Sequence, residues 1–275
     1  MKLDNVLLDG PNLFFQKACR VVKSEKKIKV GYMPLQIGDR IKNVYIKQRS
    51  VMSLGPSLGS LFVSSAAMRS LYGADILLQA DYPTAQPIAA VEYRSWGVLT
   101  KSLYLSEEVI GAKTVETFWR EDLSTLNGVE GYRKRRAFLT SLARTFQSLH
   151  REKIYHNDLK ASNILVLEKR ARNEKRFSLI DLDGLRRCFY LSARRRIKNL
   201  AQLNRTLGGF LTKTERLVFL KAYADFYASN RTKRKEAVNK ILAETRRQLE
   251  REKLRRSLSS ENSRTVPTLT WVADV

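Results

Sequence analysis

Cysteine, acid and long apolar runs are scarce in this chain, and each scarcity excludes something. Two cysteines in 275 residues, Cys19 and Cys188, cannot build a disulfide framework, so reduced, part-buried thiols in a reducing compartment are expected. No run approaches the ~18 apolar residues that span a bilayer. No positively charged leader with an apolar core opens the sequence, so a soluble, cytosolic protein is expected. Internal repeats are absent too. Acid is the largest shortfall, with 27 Asp+Glu against 51 Lys+Arg and a net charge of +24. Such a field favours polyanions: nucleic acid, an anionic membrane face, or a phosphorylated or acidic substrate. Its clusters are Arg133–Arg136, Lys169–Arg176, Arg194–Arg196, Arg231–Lys235 and Arg246–Arg256. Any one of them reads as a solvated helix face, but the sum repels itself and needs a reason to persist. No nucleic-acid motif accompanies the charge, so no specific nucleic acid is expected.

What is present begins with His156-Asn157-Asp158-Leu159-Lys160-Ala161-Ser162-Asn163, an H-x-D-L-K-x-x-N string. Phosphoryl transfer needs these three functional groups on one short loop. A carboxylate at Asp158 accepts the proton of an acceptor hydroxyl, and Lys160 steadies the migrating phosphoryl group. The amide oxygen of Asn163 is a ligand for Mg²⁺. Apolar residues from Ala137 to Leu149 recur at helical spacing, so a helix leads into the loop. Downstream, residues 163–167 and 177–181 read as two short strands joined by a charged turn, Glu168 to Arg176, and Asp181 ends the second as another metal ligand. An Asp-Leu-Lys triplet alone is usually a solvated turn; the ordered set is what carries the signal. His156 reads as a structural histidine bracing the loop rather than a proton-transfer group.

Ahead of the loop, three short extended runs (Cys19–Val22, Ile28–Met33 and Asn43–Lys47) predict antiparallel strands, with Gly38-Asp39 turning into the third. Ser64 to Leu78 predicts a helix, and residues 88–93 and 102–109 a strand pair. Helices are then predicted over about 115–123, 131–153, 197–206, 213–228 and 233–256, the last strongly basic. The expected fold is α+β and bilobal, with a five-stranded antiparallel sheet and one helix before a mainly helical lobe. Its expected divisions are an N-terminal segment 1–18, an N-lobe 19–110, a C-lobe 111–256 with the basic C-terminal helix, and a flexible tail 257–275, the lobes meeting near Gly111.

Residues 156–163 resemble the catalytic loop of protein kinases, and Val44-Tyr45-Ile46-Lys47 resembles their strand lysine motif. Other segments are similar to the bacterial lipopolysaccharide kinase family, which phosphorylates Kdo or heptose of the inner core. These are Val21–Ser24, Pro83–Pro87, Ser102–Glu108, the R-x-x-x-N-L-x-x-L-N stretch Arg195–Asn204, and Leu217–Tyr223. The resemblance covers roughly Cys19 to Tyr227. It implies that Lys47 grips the phosphates of ATP and that Glu107, Glu108 and Val109 receive adenine through backbone groups. It further implies that Asp158 is the base and that Asn163 and Asp181 hold Mg²⁺. The implied partners are ATP, the lipid A–core acceptor and, through the basic surface, the cytosolic face of the inner membrane. Each Lys or Arg near such a surface contributes about 1 kcal/mol.

Two family features have no match. Ser64 to Ala74 holds no acidic residue to pair with Lys47, Arg69 or Ser70 standing near the expected place, and no G-x-G-x-x-G lies between the first strands. Leu182-Asp183 replaces the usual Phe-Gly after the metal-binding Asp. A Ser/Thr-type protein kinase and a kinase-fold binding module without turnover are therefore the alternative readings.

Overall fold

The computed structural model describes Phe14 and residues 19–50, 64–167, 176–223 and 231–264. The charged turn lies outside these residues from 168 to 175, and Arg176 lies within them. So do 224–228 of one expected helix, most of the N-terminal segment and the last residues of the tail.

Strands β1 (Arg20–Ser24), β2 (Ile28–Ile37), β3 (Arg40–Ser50), β4 (Pro87–Ser95) and β5 (Val98–Glu107) form one antiparallel sheet in the order β1-β2-β3-β5-β4. Alternation decides its faces. Met33 and Leu35, Val44 and Ile46, and Leu103 and Leu105 point to one side and bury a core with Phe14. Tyr45, Lys47 and Arg49, the alternate residues of β3, point to the other. Gly38, at φ +58°, lets β2 turn directly into β3. β1 and β2 join through Lys26-Lys27, closed by bonds from the Glu25 N–H to the Ile28 carbonyl (2.8 Å) and back (3.2 Å). That tight hairpin stands where a Gly-rich phosphate loop is expected.

Helix α1 (Ala66–Gln79) starts at Ser65, whose hydroxyl accepts from the Met68 N–H at 3.1 Å. Its buried side is made of small residues, Ala66, Ala67, Ser70, Gly73 and Ala74, ending at Leu77. Small side chains let α1 approach the C-terminal half closely. A Cβ on Gly73 would lie 2.6 Å from the Leu182 carbonyl oxygen.

The second half has its own, larger core. A short helix α2 (Val115–Phe118) runs on into a π-turn, Trp119–Leu123, and then α3 (Gly128–Arg151) crosses the lobe. Phe138 on α3 anchors the core, stacked on Phe118 (5.3 Å) and edge-on to Phe177 (5.4 Å). Short strands β6 (Lys113–Thr114), β8 (Ile164–Val166) and β9 (Phe177–Leu179) make one small sheet, and β7 (Ile154–His156) with β10 (Leu185–Arg187) another. Helices α4 (Ala193–Leu207), α5 (Lys213–Tyr223) and α6 (Arg231–Arg264) complete it. α6 packs Ala237, Ile241 and Thr245 against α4, where the Asn204 amide meets the Thr245 hydroxyl at 3.1 Å and Arg205 pairs with Glu252.

The expected α+β, bilobal arrangement is the observed one, and the differences are at element ends and in the short strands β6, β7 and β10, which are not among the expected strands. α4 begins four residues before the apolar period does, because Ser192 caps it by accepting from the Arg195 N–H at 3.3 Å. Its first turn is Arg-rich and gives no hydrophobic signal. α6 continues to Arg264, past the expected start of the tail at 257. Among the described residues no helix is long and apolar enough to cross a membrane. Cys19 and Cys188 are both free and partly buried.

Gly73 should be the least tolerant position of α1. Gly73→Val is expected to lower stability by about 1–3 kcal/mol, the usual penalty of overpacking, in urea unfolding. An unchanged midpoint would show that the α1–Leu182 contact is soft.

Candidate active site

The loop from His156 to Asn163 is bounded by strands on both sides. β7 pairs antiparallel with β10, His156 opposite Leu185, and the Asn157 N–H continues the ladder to the Gly184 carbonyl at 2.9 Å. β8 pairs with β9, Ile164 opposite Leu179, and the Ile180 N–H reaches the Asn163 carbonyl at 3.0 Å. The two ladders bring Asn163 beside the residue that precedes Asp181, although 18 positions separate Asn163 from Asp181 in the chain.

His156 ties the loop together from beneath. It is buried; its Nδ1 accepts from the Asp158 N–H (3.2 Å) and its Nε2 donates to the Asp181 carbonyl (3.1 Å). One neutral ring thereby fixes the distance between the two Asp residues. Burial pushes its pKa down, against the opposing pull of Asp181 and Asp158, which keeps Nδ1 available as an acceptor. Asp181 adopts φ 62°, a left-handed conformation that Asp tolerates better than most residues. Asn163 is buried, and its amide nitrogen donates to the Asp158 carbonyl at 3.0 Å, while its Oδ1 accepts no hydrogen bond among the described residues. Asp158 is half-exposed, with Lys160 Nζ at 2.6 Å.

From the sheet, Lys47 reaches across to Asp181, and Arg49, two residues on, reaches Asp183 at 2.7 Å. Lys47 therefore has a carboxylate partner although α1 offers none. Ser70 is buried and donates to the Ala66 carbonyl (2.9 Å), and Arg69 donates to the Ser64 carbonyl. Asp75, the acidic residue of α1, bonds Gln79 on an exposed face. Burial works to raise the Asp181 carboxyl, but Lys47, with help from His156 and Lys160, outweighs it and holds the group below its ordinary range.

At the back of the cleft, the Glu107 N–H is taken by the Gln86 carbonyl and the Glu108 N–H by the Asn43 carbonyl, both at 2.9 Å. The Glu108 carboxylate accepts from Tyr32 and from the Asn43 amide (2.9 Å each), and Glu107 pairs with Lys42. Of the three residues expected at adenine, Val109 is the one whose N–H has no partner among the described residues.

Three polar residues of α4 had no assigned role in the sequence. Asn199, Gln202 and Thr206 lie at i, i+3 and i+7, on one face of the helix, directly under the loop. The Asn199 amide donates to the His156 carbonyl (2.6 Å) and Gln202 to the Asn157 carbonyl (2.5 Å). The Thr206 hydroxyl accepts from the Ala161 N–H at 3.0 Å. Asn199 Oδ1 also meets buried His150 (3.2 Å), whose other nitrogen meets Tyr223 OH (2.6 Å). The readable signal was a polar i, i+3, i+7 set interleaved with Leu200, Leu203 and Leu207, where a core helix should be apolar throughout. The Arg49–Asp183 pair had a signal too: cations two apart on a strand, carboxylates two apart after another.

Asn163 and Asp181 suit Mg²⁺ better than a softer ion. They supply hard oxygen donors and few of them, which leaves coordination positions for phosphates and water. Among the described residues no group of three or more His, Cys, Asp or Glu could hold a metal by itself.

The lipopolysaccharide kinase (Kdo/WaaP) family model matches residues 56–223. No curated protein matches the chain. A solved structure, WaaP in complex with acyl carrier protein, aligns with a TM-score of 0.59 at 21% identity, over 84% of this chain and 88% of that one. The likeness shows a shared fold.

The two histidines of the sequence, His150 and His156, are both buried and both depressed, burial taking His150 down to about 4. A histidine whose folded pKa lies below its unfolded value binds more protons unfolded, so its contribution is complete above about pH 6.5 and disappears towards pH 4. His150 alone should remove about 2–3 kcal/mol between pH 7 and pH 4.5. Urea unfolding of the wild type and His150→Gln across that range tests this: the variant should show the shallower decline, and parallel curves would refute the assignment.

Proposed function

Because the chain belongs to the lipopolysaccharide kinase (Kdo/WaaP) family, we propose that it transfers the γ-phosphoryl group of ATP to a Kdo or heptose hydroxyl of the lipopolysaccharide inner core. The chain is a kinase; the acceptor, the site roles and the location are the proposed part. The observation that carries the reading is the convergence around His156, which bonds the backbone of Asp158 and Asp181 at once, with Lys47 meeting Asp181 from the other side of the cleft.

In this reading Asp158 orients the acceptor hydroxyl and takes its proton as the new O–P bond forms, and ADP departs with the electrons of the broken one. Lys160, 2.6 Å from Asp158, balances charge on the group in flight. Lys47 binds the α- and β-phosphates, exchanging its bond to Asp181 for them. Asn163 Oδ1 and the Asp181 carboxylate hold Mg²⁺, which neutralises phosphate charge when bound. Adenine lies at Glu107–Val109, with Val109 N–H as its donor. The enzyme contributes mostly positioning and preorganised charge.

Residues 19–110 and 111–256 would be the two lobes of the kinase, with the basic helix on the second. The +24 charge supports a peripheral position on the anionic cytosolic face of the inner membrane. The solved neighbour's partner, acyl carrier protein, is a candidate partner for this chain as well.

Two variants separate the roles. Asp158→Asn should keep Mg·ATP binding and lose about 10²–10⁴ in turnover on lipid A–core, the range for a missing general base. Asp181→Ala should lose Mg·ATP binding itself. Wild-type activity in Asp158→Asn would remove that residue from the chemistry. Label in protein alone would select a protein kinase, and Mg·ATP binding without turnover a binding module. Mass spectrometry of lipid A–core from cells with and without the protein then identifies the acceptor by the missing phosphate.

A further inference from the structure

Beside Asp158 the cleft opens into a hollow of about 1070 Å³ that neither Lys47 nor Asp181 lines. Asp158 and Asp183 are the carboxylates in its wall, and both are already matched, with Lys160 at 2.6 Å and Arg49 at 2.7 Å. Five further cations line it: Arg69, Arg186, Arg194, Arg195 and Lys198. Among the described residues none of the five is paired with a carboxylate. A concave wall this basic is not a solvated helix face, since its cations converge on one volume.

Two of these side chains are held in place before any ligand arrives. Arg195 and Lys198 both lie over the Tyr155 ring, at 5.7 and 5.8 Å from its centre. Arg195 also contacts Cys188 Sγ (3.0 Å), and Lys198 donates to Asn157 Oδ1 (2.9 Å), one residue before Asp158. Arg194 and Arg195 occupy the first turn of α4, which has no acidic residue. Cations there oppose the helix dipole, so local helix stability does not explain the placement. An anion in the hollow does.

We propose that this wall is an anion subsite for the acceptor: the molecule whose hydroxyl meets Asp158 also carries a carboxylate or phosphate, bound by Arg194, Arg195 and Lys198. The inference rests on the sugar-kinase reading and narrows it, from any core sugar to one bearing a negative group near the reacting hydroxyl. Asp158 lines the hollow while Lys47 and Asp181 do not, so the anion it takes is assigned to the acceptor and not to the nucleotide.

The test compares wild type with Arg194→Ala/Arg195→Ala and with Arg133→Ala/Arg136→Ala, which removes two charges from α3 outside the hollow. Calorimetric titration at fixed ionic strength uses inorganic phosphate, glucuronate and Mg·ATP as separate probes. The first variant should bind phosphate, glucuronate or both about tenfold or more weakly, two charge-assisted bonds being lost, with Mg·ATP binding unchanged. The control variant should match wild type. Whichever probe responds names the phosphate or the carboxylate as the recognised group. The KM for lipid A–core should rise by a similar factor in the first variant only. Equal anion affinity in all three proteins, or equal weakening in both variants, would overturn the subsite, as would a parallel loss of Mg·ATP. If wild type phosphorylates lipid A–core but its KM is untouched in the variant, the kinase reading stands and the subsite falls. If wild type transfers nothing to lipid A–core while the anion titrations separate the variants, the basic wall is an anion site but lipid A–core is not its acceptor, and the proposed acceptor falls with the subsite's assignment to it.

Discussion

Lys47 and Asp181 face each other across a cleft, one on the N-terminal sheet and the other at the end of a short strand in the helical half. Their attraction has to overcome the desolvation of a carboxylate held among protein atoms, and it does: Asp181 stays ionised below its usual range. The pair has a second rung, Arg49 with Asp183, so strand and turn are matched in spacing as well as in sign. Together they join the two halves and place in the cleft a cation and a carboxylate, the groups that the proposed reading assigns to polyphosphate and metal. An acid on α1 is thereby unnecessary for pairing Lys47. α1 contributes steric fit instead, through Gly73 against the Leu182 carbonyl.

Rigidity of the loop comes from polar groups buried under it. His156, Asn199, Gln202 and Thr206 satisfy backbone donors and acceptors of residues 156–161 that an irregular loop would otherwise leave unpaired in the core. A fully satisfied buried network of this kind costs little and specifies one conformation, whereas losing a single member strands several others. That is why both histidines are neutral and why acid reaches the stability of the fold through them.

The charge excess is distributed with the same economy of position. Much of it lies on exposed helix faces, including α6, where long-range attraction to an anionic surface needs no particular geometry. A smaller group of cations converges beside Asp158, where geometry is everything. In the proposed reading the same composition serves both attraction at a distance and recognition at contact.

The sequence alone determined the fold and singled out the candidate site residues. Period-two runs dictated the sheet and the apolar period dictated the helices, because both signals are local and recur along an element, and the ordered spacing of Asp158, Lys160, Asn163 and Asp181 pointed to phosphoryl transfer. The early start of α4 escaped notice because a capping Ser and three Arg carry no hydrophobic period. Only the tertiary structure decided that Lys47 pairs with Asp181, that α4 supports the loop from below, and that five scattered cations share one hollow. Those facts depend on residues distant in sequence meeting in space, and no local propensity encodes such a meeting.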